Sequence, residues 1–384
     1  MVTNSNFWKT INIVSIGLIF VIAYYLIYQQ AIGVMPSDTT AHLDFIEPYF
    51  DGTLYIPHPI WHIGTYYFSF LLDTEYVKGA SVFTALLITI YAVIIYKIAQ
   101  NINQCKENGM ELFFITLFSL VIGPFFIMSF NQHIYIGQGS PSIWHSVTIL
   151  TVQLFALLSV FFTIKFFETS RWTYFILATL ISAVSIFAKP SYIMMYLPAL
   201  AVYVLVKKYF SKQQLSFALI VALVSVAILA YQFMHEFKKD QGSVIFDFMG
   251  VWSIFSTNII ISILLALGLP LLITLLNYKS VKKNEYIIFS WLLVLFAMIL
   301  FACFAQEGRH YRDGNFSWSW NLSLSLIYIF TLIEYFKQYT TMRPFVRYGL
   351  LAIILYQVYV GLYFLIGMFL GVGYGARINA FPFF

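Results

Sequence analysis

The sequence predicts an all-α polytopic membrane protein of about eleven transmembrane helices, with interfacial helices in its first extracytoplasmic loop. Three observations carry this prediction. Of 384 residues, 61% are hydrophobic, 20% are aromatic and only 10% are charged, and mean hydropathy is +0.82. That leaves too little polar surface to cover a soluble globule. Apolar runs of roughly 20 residues, the length that crosses a ~30 Å hydrocarbon core, recur from end to end. Basic residues gather in alternate loops, as the positive-inside rule requires.

In chain order the predicted spans are 11–31, 76–98, 111–130, 146–166, 173–188, 191–206, 214–234, 252–276, 286–304, 321–337 and 348–370. The first is long and has no small-residue cleavage site, so it reads as a retained span rather than a signal peptide. The fifth and sixth are short and meet at Lys189-Pro190-Ser191. They form either a hairpin with a sunken tip or one broken element. The longest polar segment, 32–75, follows the first span. A polar helix is predicted over 38–50, a turn at Asp51-Gly52 and an aromatic helix over 59–72. Both helices suit the membrane interface. With no soluble domain, repeat or low-complexity run, residues 1–384 read as a single transmembrane domain. The two cysteines, Cys105 in a loop and Cys303 late in a span, imply no disulfide framework.

Charge sets the expected orientation. With the N-terminus in the cytoplasm, fourteen of the 21 Lys and Arg residues fall inside. The outside keeps Lys78, Lys189, Lys238, Lys239, Arg309, Arg312 and Arg377. The net charge of +5 then reflects topology and calls for no nucleic-acid partner. This orientation also puts all seven histidines outside: His42, His58, His62, His133, His145, His235 and His310. Asp38, Asp44, Glu47, Asp51, Glu307 and Asp313 join them. Polar chemistry is therefore expected on the extracytoplasmic face. The compact build fits a bacterial plasma membrane.

Five polar constellations lie on that face. In Ser37-Asp38-Thr39-Thr40-Ala41-His42-Leu43-Asp44, Ser37 or Asp38 would cap a helix starting at Thr39. Asp38 and His42, four apart, would share a face, with Asp44, Glu47 and Asp51 on another. Asp38 or Asp44 could act as a general base, with His42 tuning it or binding substrate. The plainer alternative is a cap and a solvated helix face, which fits Glu47 and Asp51 best. In Pro57-His58-Pro59-Ile60-Trp61-His62, His58 would be an N-cap with Pro59 at the first helical position. His58 and His62 one turn apart could contact substrate. They lack a clear third ligand for a metal. The stretch from Asn131 to His145 is rich in amides, glycine and aromatics. It could bind sugar hydroxyls, with His145 the foremost participant, or it could be ordinary turn chemistry. Lys189 beside Pro190 interrupts apolar sequence. A cation there lines a cavity, pairs, or snorkels to the surface. Finally, Glu307, Arg309, Arg312 and Asn315 share one short loop. Arginine suits phosphate through its bidentate fork, and salt bridges within the loop are the structural alternative.

The placement of Ser37-Asp38, His42 and Asp44 in the first outer loop resembles the GT-C class of integral-membrane glycosyltransferases. The two interfacial helices, the span count and the outer cations fit the same class. The resemblance implies a first-loop aspartate as base, Asp38 first and Asp44 second. The base would deprotonate an acceptor, which attacks the anomeric carbon of a sugar on polyprenyl phosphate, with inversion. It implies Lys189, Arg309 and Arg312 as phosphate-holding groups. The remaining contacts would come from His42, His58, His62, His145, Glu307 and Asn315. Implied partners are a polyprenyl-phosphate sugar donor, a glycan, lipid or protein acceptor, and membrane lipid. No cofactor and no metal are implied. The chain lacks the adjacent acidic pair and trailing soluble domain of several members, so sugar and acceptor stay open. The rival readings are a flippase of a lipid-linked glycan, a polysaccharide polymerase or ligase, and a membrane acyltransferase. A flippase should carry ionisable groups through its midplane, and here charges sit at span ends. Polymerases rely on a large late loop, whereas here the large loop is first.

Overall fold

The structure, a computed structural model, describes residues 5–103, 109–127, 133–236 and 243–370. Helix α1 (Ser5–Ala31) leads into the short helices α2 (Thr39–Asp44), α3 (Ile46–Phe50) and α4 (Ile60–Leu71). Then come α5 (Tyr76–Asn103), α6 (Gly109–Val121), α7 (Val147–Thr169), α8 (Trp172–Ala188), α9 (Ser191–Lys207) and α10 (Lys212–Glu236). Strand β1 (Val244–Phe246) precedes α11 (Gly250–Phe255), α12 (Ile259–Leu276), α13 (Tyr278–Val281) and α14 (Glu285–Cys303). Strand β2 (Phe304–Gln306), α15 (Ser317–Gln338) and α16 (Pro344–Phe369) complete the chain order. The protein is an all-α, membrane-embedded bundle. Among the described residues, α1, α5, α7, α10, α12, α14, α15 and α16 are long and apolar enough to cross a membrane. Helices α6, α8 and α9 are apolar but shorter, at 13, 17 and 17 residues.

Three elements differ from the sequence expectation, two of them where a proline removes a backbone donor. The helix expected over 111–130 stops at Val121. Pro124 has no N–H and pushes Gly123 out of helical geometry. The chain continues extended, with Gly123 N–H donating to the Gln357 carbonyl and Phe125 N–H to that of Leu265. This close passage requires Gly361 on α16, where a Cβ would strike the Val121 carbonyl. The span expected over 252–276 is split, and α12 starts at Ile259, where Asn258 caps it by accepting from Ile261 N–H at 3.1 Å. The helix expected over 38–50 breaks into α2 and α3 at Phe45. Pro48 cannot donate to the Asp44 carbonyl, so the ladder is interrupted there.

Helix α15 is buried along nearly all its length, and serines at 317, 319, 323 and 325 let neighbours approach closely. It packs on α14, α12, α6 and α9, while α7 pairs with α8 and α1 with α5. At the end away from α2–α4, the buried Glu334 accepts from Ser280 Oγ and from Asn284 Nδ2 at 2.8 Å. There too Lys207 meets Glu285 at 2.8 Å.

The other end holds the irregular backbone. Residues 140–146 are all buried although none is helical. Non-helical backbone survives inside a membrane protein only when protein groups satisfy it. Here Asn321 Oδ1 accepts from Ser140 N–H at 2.7 Å, Trp320 Nε1 donates to the Gln138 carbonyl and Trp252 Nε1 to that of Gly137. Gln30 Nε2 donates to the Trp144 carbonyl at 2.7 Å. Gly139, with φ +101°, turns the chain where a Cβ would strike the Trp320 indole. The amide-rich loop of the sequence is thus committed to the fold: Gln138 is fully buried and its Nε2 donates to the Phe125 carbonyl.

Candidate functional site

The site grows from the N-terminus of α2. Thr39 N–H donates to Ser37 Oγ at 3.1 Å, so Ser37, not Asp38, occupies the local donor. Asp38 has helical backbone angles and makes no side-chain cap bond. Its carboxylate turns instead toward the start of α7, where the Ser146 hydroxyl and Val147 N–H face it. A helix N-terminus favours a negative charge. Two further bonds hold α2 in place. Thr39 Oγ1 donates to Gln30 Oε1 at 3.0 Å, and Gln30 in turn holds the 140–146 segment.

Lys189 approaches from the α8–α9 corner. Pro190, without an N–H, lets α8 end and α9 begin at that point. The Ser191 carbonyl accepts from Ser319 Oγ at 2.8 Å, fixing the corner against α15. The Lys189 ammonium donates to Thr148 Oγ1 at 2.9 Å and lies 5.2 Å from the Trp318 ring centroid. Such a cation over an indole face is attracted by the ring's quadrupole.

Burial and charge set the ionisation states. Burial pushes the Asp38 carboxyl above the usual carboxylate range, and Lys189, Ser146 and Val147 N–H partly restore the anion. Burial lowers Lys189 to about 8, with Asp38 opposing that shift. Even so, 30% of the Asp38 side-chain surface remains open. Its Oδ1 accepts no hydrogen bond among the described residues.

Four histidines surround the group. His42 Nε2 lies 3.8 Å from Asp38 Oδ2, and His42 Nδ1 lies 3.1 Å from His62 Nε2. Burial lowers His42 to about 3 and His62 to about 4. His58 falls well below its ordinary value through burial, aided by Lys189, His42 and His62. His145 is lowered by burial to about 3 and packs edge-on against Tyr135 at 4.4 Å. It also sits 6.0 Å from Trp318. All four rings are neutral at pH 7.

A cleft of about 290 Å³ joins these elements. Its polar wall includes His58, Lys189, Asn315 and Trp318, and its apolar wall includes Met194, Leu229 and Phe233. Lys189 and His58 thus border both the cleft and the Asp38–His42–His62 group. Asp38 itself is not part of the cleft lining.

The other expected residues divide between this cleft and positions away from it. Asp44 is exposed and borders a separate cleft of about 500 Å³ with Glu47 and Tyr76. His58 does not cap α4, because Pro59 takes the N-cap position and its carbonyl accepts from Ile63 N–H. Glu307 accepts from Ser243 Oγ at 2.6 Å. Asn315 reaches the cleft and donates to Gln306 Oε1 at 2.8 Å. Arg312 is exposed. Asp313, an acid of the same loop, meets His310 at 2.7 Å. The side chain of Arg309 lies outside the described residues, as do Cys105, Asn131, Gln132, Lys238, Lys239 and Arg377.

Ser146, Thr148, Trp318 and Gln30 escaped the sequence reading. Each had a faint signal. Gln30 is an amide at the end of an apolar helix, and Ser146 and Thr148 are hydroxyls opening another.

No protein-family model matches the chain, and no curated protein matches it.

Proposed function

We propose that the protein is a membrane glycosyltransferase that moves a sugar from a polyprenyl-phosphate donor to an extracytoplasmic glycan, lipid or protein acceptor. The observation that carries this reading is the double role of Lys189. Lys189 lines a largely apolar cleft and also faces a buried carboxylate, Asp38. An anionic headgroup with a hydrocarbon tail matches such a cleft. The phosphate meets Lys189, and the first isoprene units lie along Met194, Leu229 and Phe233.

In this mechanism the Asp38 carboxylate, whose side chain is 30% open, takes the proton of the acceptor O–H. The acceptor oxygen attacks the anomeric carbon, and the bond from that carbon to the phosphate oxygen breaks. The electron pair leaves on polyprenyl phosphate, whose new charge Lys189 stabilises. A carboxylate raised above the ordinary carboxylate range is a stronger base than an ordinary one. Asp44 borders a separate cleft whose described lining holds no Lys or Arg, and it is left out of the reaction.

The reading includes an eleven-span topology with a cytoplasmic N-terminus. Helices α6, α8 and α9 complete the count. The 17-residue helices reach about 25 Å, short of a ~30 Å core, so the α8–α9 corner sits just below the interface. That is where a lipid phosphate lies.

The test is donor binding to full-length protein in nanodiscs, with polyprenyl phosphate and with water-soluble sugar phosphate as probes. Preferential binding of polyprenyl phosphate, lost in Lys189→Met, is expected. Equal binding by wild type and Lys189→Met would refute the assignment.

A further inference from the structure

We infer that His62 is a positioning residue: its Nε2–H donates to His42 Nδ1 and so fixes the His42 tautomer that presents Nε2–H to the Asp38 carboxylate. This rests on the glycosyltransferase reading only for what the carboxylate does, since the hydrogen-bond direction is a property of the protein alone.

The direction follows from elimination. A neutral imidazole carries one proton, so the 3.1 Å contact between His42 Nδ1 and His62 Nε2 has two possible polarities. Suppose His42 were the donor. The proton of His62 would then sit on Nδ1, which is buried and accepts or donates nothing among the described residues. An N–H buried without an acceptor is rarer and costlier than a bare lone pair. His42 Nε2 would also turn a lone pair toward Asp38 Oδ2 at 3.8 Å. With His62 as donor, both problems vanish. His62 Nδ1 is then a bare acceptor, and His42 Nε2–H points at the carboxylate.

The rings are held for this purpose. His62 is fully buried on α4, beside Trp61. Trp61 Nε1 donates to Thr84 Oγ1 at 2.8 Å, which ties α4 to α5. The His42 ring lies 6.0 Å from Trp61 and 6.0 Å from Phe45. Burial, with His62 and Lys189 adding to it, opposes protonation of His42, and burial does the same for His62. The pair of histidines is therefore a relay of hydrogen-bond polarity.

The test is the nitrogen spectrum of ¹⁵N-histidine-labelled full-length protein in nanodiscs near neutral pH, with His42 assigned through His42→Asn. Wild type should show His42 protonated on Nε2. His62→Gln, whose amide N–H can still donate, should keep that tautomer. His62→Leu should mix the two. In sugar transfer, His62→Leu should lose about tenfold or more in kcat with KM little changed, and His62→Gln should recover most of it. His42 protonated on Nδ1 in wild type overturns the inference. So does an unchanged His42 tautomer in His62→Leu. Because the spectrum needs no substrate, it separates failure of this inference from failure of the glycosyltransferase reading, which would show as absent transfer in wild type.

Discussion

Asp38 Oδ2 lies 3.8 Å from His42 Nε2, one helical turn away on the shortest path between the first span and the α7 N-terminus. The contact joins a carboxylate that burial makes more basic to a ring that burial keeps neutral. Neither could be so placed if Asp38 capped its own helix. Ser37 frees it by taking the Thr39 N–H.

Lys189 gives the sharpest pH prediction. Its ammonium is lowered to about 8, so the cation is present below that value and lost above it. Donor KM should rise as pH climbs through 8. Arginine stays charged throughout, so Lys189→Arg should bind donor more weakly at neutral pH but without the alkaline rise. Steady-state kinetics against donor concentration at several pH values read both effects.

The buried histidines make the fold acid-labile. Each ring has a folded value below its unfolded value of 6.5. Its stabilising effect is complete above 6.5 and is withdrawn as pH falls from there toward 3 or 4. Each ring withdraws up to about 1.4 kcal/mol per pH unit. Asp38, raised instead, has the opposite sign and loses stability as pH rises above 3.8. Thermal unfolding should show a steep loss from neutral pH to pH 5, and His42→Asn should flatten it.

Gln30 is the structural tie of the site. Gln30→Leu removes partners from Thr39 Oγ1 and the buried Trp144 carbonyl. The expected destabilisation is about 1–3 kcal/mol for each group left unpaired. The exposed contact of Gln213 with the Ser170 carbonyl serves as control. Gln213→Leu should change stability by less than about 0.5 kcal/mol. Thermal melts of the two variants side by side check this.

Much of this architecture could be read from sequence, because hydropathy and helix length are local properties. The all-helical class, the polar segment 32–75 and the break at Lys189-Pro190 all belong to that kind. The errors came where one residue acts on the backbone of another. Pro48 and Pro124 each end a helix by a missing donor, and neither stands out in an apolar average. The site was half legible. Asp38 and Lys189 were visible as charges in a chain that has few. Their approach was not, because it depends on Ser37, Ser146, Thr148 and Gln30, which look like ordinary polar residues at helix ends. For the loop 131–145 the sequence left ligand contact and turn chemistry both open, and Gln138 serves the backbone of the fold.

The central claim is that Asp38 is the base. The direct measurement is sugar transfer from a polyprenyl-phosphate donor by purified wild type, Asp38→Asn and Asp44→Asn in proteoliposomes. Each variant is checked first for a wild-type melting curve at neutral pH. Asp38→Asn should lose on the order of 10²–10⁴ in kcat with donor binding retained, while Asp44→Asn stays within a few-fold of wild type. Full activity in Asp38→Asn, or a matching collapse in Asp44→Asn alone, would contradict it.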